Sequence, residues 1–179
     1  MAIAVAIVIV ALMSTVFMLR VSRGHAAAIS RLEELDGRTQ PIDIDAFRNL
    51  IDPSETEYLQ KRVSAKQFRK LERERARAAA EYVQRIAHNA AVLVRLAQAA
   101  RTNPDPEVAR AAQAMFRSAV TVRMMSMRAL GKLYVQAWLP QLGLSARDIF
   151  DGYRGLRDSA ALFVRLQQPA YASRVNSML

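Results

Sequence analysis

The chain predicts an all-α protein: a single N-terminal transmembrane helix followed by an elongated antiparallel three-helix bundle, with short helices between the two. Three observations carry that prediction. Residues 2–19 contain no charged side chain, no stretch shows the alternation of a strand, and proline-based punctuation divides the rest into long segments whose apolar residues recur at helical spacing.

The uncharged run is closed by Arg20 and Arg23. Its eighteen residues would cover about 27 Å as a helix, close to a hydrocarbon core of about 30 Å once Arg20 snorkels outward. Residues 1–22 are therefore read as an anchor. A cleaved signal peptide is the competing reading, because Ala26, Ala27 and Ala28 supply the small residues of a cleavage site. The lack of Lys or Arg before Arg20 and the length of the apolar run oppose it. Arg20, Arg23, Arg31 and Arg38 follow the run while only the terminal amine precedes it, so the N-terminus is expected outside and the C-terminal domain in the cytoplasm. Ala2 and Ala6, like Ala11 and Thr15, stand four apart, a small-residue spacing that lets a second membrane helix approach.

Residues 23–63 read as a linker with short helices. Ile29, Leu32 and Leu35 have helical spacing and stop at Asp36-Gly37. After Pro41, residues 43–57 carry five acids against Arg48 alone, around Ile44, Phe47, Leu50 and Ile51. Asp52-Pro53-Ser54-Glu55 joins an N-cap, a proline at the first helical position and an acid in the first turn, so a helix is expected to begin there.

The bundle itself is placed at residues 64–168, with helices over 64–101, 105–139 and 145–168. Ser64 with Gln67 is a capping box, and Phe68, Ala79, Tyr82, Ile86, Leu93, Leu96 and Ala100 make one apolar face. Asp105-Pro106-Glu107 opens the second helix, whose face is Val108, Ala112, Met115, Ala119, Val122, Ala129 and Leu133, and Pro140 ends it. Ser145 with Asp148 is expected to open the third, burying Ile149, Tyr153, Leu156, Ala160, Phe163 and Leu166. Residues 169–179 form a tail with no assigned structure.

Unequal helix lengths have a consequence. If the third helix folds back directly from Pro140, it reaches only to about His88 on the first helix and Met115 on the second. The hairpin tip, residues 89–114, would then expose Val92, Leu93, Leu96 and Val108 as an apolar surface. Two covers fit: another protein or copy of the chain, or the acidic segment before Ser64.

Charge points to a second surface. The chain has 26 basic and 16 acidic residues, a net charge of +10, which favours an anionic leaflet or an acidic partner. Most of the basic residues are Arg, as a GC-rich coding bias would produce. Lys66, Arg69, Lys70, Arg73 and Arg77 recur as a stripe along one helix face, extended by Lys61 and Arg62. Glu72 and Glu74 interrupt the run and no aromatic residue interleaves on its face for base stacking, which disfavours nucleic acid, and proximity to the membrane makes lipid the better ligand. A solvated face is the plainer explanation of such a stripe.

Catalytic and cofactor signals are absent. The chain has no Cys, and His25 and His88 stand apart without a HExxH or Glu-x-x-His pairing, so no metal ligand set is expected. No phosphate loop, dinucleotide fingerprint or nucleophile elbow is present. Glu81, Arg85 and His88 share a face and could form a small polar site. Gly152 and Gly155 weaken the third helix and suit close packing, and Met115, Met124, Met125 and Met127 crowd the second helix ahead of Tyr134 and Trp138. The expected function is a non-enzymatic accessory or scaffold subunit, its span and bundle contacting other subunits or further copies. The alternative is a tethered electrostatic binder of anionic lipid or nucleic acid that uses the basic stripe.

Overall fold

The computed structural model describes Leu35, residues 37–139, residues 147–168 and Leu179. Five α-helices occupy them: α1 (Ile44–Leu50), α2 (Pro53–Arg62), α3 (Ala65–Ala100), α4 (Pro106–Trp138) and α5 (Arg147–Gln167). The described residues contain no strand, and the all-α expectation holds for them. None of these helices is long and apolar enough to cross a membrane. The expected anchor at residues 1–22, with Ala2, Ala6, Ala11 and Thr15, lies outside the described residues.

Local chemistry sets the helix starts. Asp43 Oδ1 accepts the Ala46 amide at 2.9 Å to open α1, and Asp52 Oδ1 accepts the Ser54 amide at 3.1 Å to open α2. At α3 the capping box is reciprocal: the Gln67 amide donates to Ser64 Oγ at 3.4 Å and the Ser64 amide to Gln67 Oε1 at 3.2 Å. Asp105 accepts the Glu107 amide at 2.8 Å, with Pro106 as the first residue of α4. Upstream, Gly37 takes a φ of +79°, the left-handed value that lets the Arg38 and Thr39 amides close a turn on the Leu35 carbonyl.

The long antiparallel hairpin of α3 and α4 forms one layer, and α1, α2 and α5 form a second layer over a single side of it. Glu72, Arg75, Tyr82 and Asn89, spaced at three and seven, face that second layer, touching Thr56, the end of α1, Phe47 and Gln40 respectively. On α4 the matching side carries Ser118, Val122, Met125 and Lys132, which meet Ser159, Gly152 and Asp148 of α5. α5 therefore packs mainly on α4, while α1 and α2 take the corresponding place on α3.

The uncovered tip is corrected by this packing. Val92, Leu93, Leu96 and Val108 are all buried, and they belong to one core cluster that also holds Leu35, Phe47 and Leu179. Register supplies the reason on the α4 side. Ser118 sits 3.3 Å from Ser159 and Lys132 4.0 Å from Asp148, so α5 starts beside the ninth or so residue from the end of α4 rather than beside its last turn. That shift carries its C-terminal end toward the tip and leaves the last turns of α4, at the opposite end of the hairpin, beyond the start of α5. The segment before Ser64 adds cover at His88 and Asn89 through Arg38 and Gln40. Gly152 serves the close approach expected of it, since a Cβ there would lie 2.7 Å from Met125 Sδ. A Cβ at Gly155 would meet nothing within 4 Å, so that glycine plays no such part.

Candidate functional site

The open end of the hairpin, opposite the 101–105 loop, is where the chain's charge and its exposed aromatic surface meet. Along α3, Lys66, Lys70, Arg73 and Arg77 recur at four, three and four residues on the side turned away from α1, α2 and α5, with Arg69 alongside, and all five are exposed. Among the described residues only Lys70 of these five has a carboxylate partner, Glu74 at 4.0 Å on the surface. Glu72, which seemed to break the stripe in sequence, is buried and turned the other way, so it does not neutralise this face.

Two contacts join α3 to the exposed edge of α4, one of them from the stripe. Arg73 Nε donates to the Ala137 carbonyl at 3.1 Å, and Gln84 Nε2 donates to the Tyr134 hydroxyl at 3.1 Å. That edge is apolar and aromatic: Trp138 is 84% exposed, Leu139 55%, Tyr134 46% and Val135 42%. Aromatic side chains are thus brought beside the stripe by the neighbouring helix. Nearby in the chain, Arg62 lies over the Tyr58 ring at 5.1 Å, and Lys61, Arg62 and Tyr58 are exposed. Farther toward the tip, burial first and the Arg95 charge second hold the Arg123 guanidinium below its ordinary value.

A second constellation, buried between the layers, is structural. Glu72 lies 3.9 Å from Arg75 Nε, and its oxygens accept from Thr56 at 3.4 Å and Gln136 at 3.2 Å. Arg75 also donates to the Asn49, Leu50 and Asp52 carbonyls at 3.2 to 3.4 Å, placing a cation at the C-terminal end of α1. This cluster fastens α1 and α2 to the hairpin.

Further along, Asn89 Oδ1 accepts the Gln40 amide at 2.8 Å while its Nδ2 donates to the Gln40 carbonyl at 2.8 Å and to the Tyr153 hydroxyl at 3.0 Å. The Tyr153 hydroxyl in turn donates to the Leu179 carbonyl. Burial pushes the Tyr153 phenol up to about 12, against the opposing Asn89 hydrogen bond and Arg157 charge, so it stays neutral and works as a hydrogen-bonding group. Glu72 and Asn89 were both detectable as polar residues standing on the apolar stripe, four after Phe68 and seven after Tyr82 respectively.

The polar site expected from Glu81, Arg85 and His88 does not assemble. Glu81 is exposed, Arg85 lies 5.8 Å from the Tyr82 ring centroid, and His88 Nε2 contacts the Arg38 carbonyl at 2.8 Å. Among the described residues no group of three His, Asp or Glu side chains could hold a metal ion. No protein-family model, curated protein or solved structure matches this chain.

Proposed function

We propose that this protein is a membrane-tethered helical binder of anionic lipid surfaces, held at the bilayer by residues 1–22 and attached to it by Lys66, Arg69, Lys70, Arg73 and Arg77. The observation that carries the reading is that these five basic side chains are exposed on the hairpin side that none of the other described helices covers. An anionic leaflet contributes about 1 kcal/mol for each basic residue brought close to it, so the stripe supplies roughly 5 kcal/mol at low ionic strength. Salt screens that attraction over a Debye length of about 8 Å at physiological strength. Assembly with other membrane chains, the other expected role, would run through the anchor, since Val92, Leu93, Leu96 and Val108 are spent in the protein's own core.

Lysine footprinting of the full chain in lipid nanodiscs tests the proposal, because the only lysines are Lys61, Lys66, Lys70 and Lys132. Lys132 faces Asp148 on α5 and serves as the internal control. Acylation of Lys66 and Lys70 should fall in discs of anionic lipid and recover in high salt, with Lys132 unchanged. Equal labelling in anionic and zwitterionic discs would overturn the assignment.

A further inference from the structure

From the exposed edge of α4 we infer that the attachment is also hydrophobic: Trp138 and Leu139, flanked by Tyr134 and Val135, enter the interface of the anionic bilayer beneath the basic stripe. The inference rests on the surface-binding reading above and adds depth and orientation to it. Four large apolar or aromatic side chains within six consecutive residues are exposed at one end of a helix, beside Arg73, whose guanidinium already touches the backbone of Ala137. Trp and Tyr favour the headgroup level, where the ring body is apolar and its polar atom remains wet, and Lys and Arg favour the phosphates just above. The patch combines both chemistries on contiguous residues of two helices.

Charge complementarity commits the surface to an anionic leaflet. A second copy would bring one +10 chain against another, with like-charged stripes meeting at the same patch. Nucleic acid would use the cations and could stack on Trp138 and Tyr134, but it gives Val135 and Leu139 no apolar medium to enter. With the patch on the bilayer, the hairpin stands with its 101–105 loop directed away from the membrane.

Trp138 is the only tryptophan, so its fluorescence reads the inference directly in the full chain. In nanodiscs of anionic lipid its emission should shift to the blue and lose most of its intensity to brominated acyl chains, while aqueous iodide quenches it little. Val135→Asp combined with Leu139→Asp alters only exposed positions and should return Trp138 to water-like emission with helical content unchanged. Lysine protection without quenching by brominated lipid would overturn the insertion and leave the electrostatic reading standing; loss of both would overturn the two together. Trp138 quenched by an oligonucleotide and not by lipid would replace the bilayer with nucleic acid. Burial of Trp138 that rises with protein concentration regardless of lipid charge would replace it with a second copy.

Discussion

Replacing Asn89 with Leu should loosen the segment before α1 from the hairpin while leaving the hairpin intact. Asn89 is fully buried and makes three hydrogen bonds, two to the Gln40 backbone at 2.8 Å and one to the Tyr153 hydroxyl at 3.0 Å. Each such bond contributes about 1 kcal/mol net, so their loss amounts to about 3 kcal/mol. Two features reduce that figure. Gln40 is exposed, so its freed amide and carbonyl can return to water, and Tyr153 retains the Leu179 carbonyl as its acceptor. A net destabilisation of about 2 kcal/mol follows, a fall in Tm of about 6 to 8 °C for a domain of this size. Circular dichroism of the detergent-solubilised chain would give the melting shift, and native hydrogen exchange would locate it. Amides of residues 37–51 should exchange faster than those of α3 and α4. A change below about 0.5 kcal/mol, or protection lost evenly over the whole bundle, would refute the role assigned to Asn89.

Three other outcomes bear on the fold. Stability should fall between pH 10 and 12, because the unfolded chain releases the Tyr153 proton near 10 while the folded phenol holds it to about 12. The stabilisation is complete below pH 10 and its loss approaches about 3 kcal/mol at the upper end, so denaturant titrations of the native chain and of Tyr153→Phe should differ in slope over that window. Leu93→Ala should cost about 2 to 5 kcal/mol in the isolated protein, since Leu93 is fully buried; a stability change near zero would return it to a docking surface. Gly155→Ala should stabilise by about 0.5 to 1 kcal/mol, whereas Gly152→Ala should gain less or lose stability because its Cβ would meet Met125. Thermal melts of the two variants side by side check the α4–α5 contact.

How much of this was legible in the sequence depended on range. Helix starts were readable because their determinants are local: Asp52-Pro53, Ser64 with Gln67 and Asp105-Pro106 each cap within three residues, and each cap forms. The lengths of α3 and α4 followed from the proline punctuation. What escaped was register between helices. Placing α5 directly back from Pro140 put the bare apolar surface at the 101–105 end, whereas the Ser118–Ser159 pairing moves α5 along α4 and bares the opposite end at Trp138. No local pattern encodes that shift, because it follows from Gly152 admitting Met125 and from the shapes of two helix faces. The same limit hid the pairing of stripe with aromatic edge: Arg73 and Ala137 are 64 residues apart and meet only once the hairpin closes. The basic stripe itself was plain, since four-and-three spacing along one helix needs no partner to define it.

On the proposed function, the open end of the hairpin lies on an anionic bilayer with the tip held away from it. The chain has no native cysteine, so single spin labels can be placed at Ala65→Cys and Thr102→Cys, both exposed positions at opposite ends of α3. The 36 residues of α3 separate those ends by about 54 Å, far beyond the thickness of a headgroup layer. With the full chain in anionic nanodiscs, a label at residue 65 should relax rapidly against a lipid-headgroup-bound paramagnetic ion while a label at residue 102 stays unaffected. Strong relaxation at residue 102, or none at residue 65, would contradict the account.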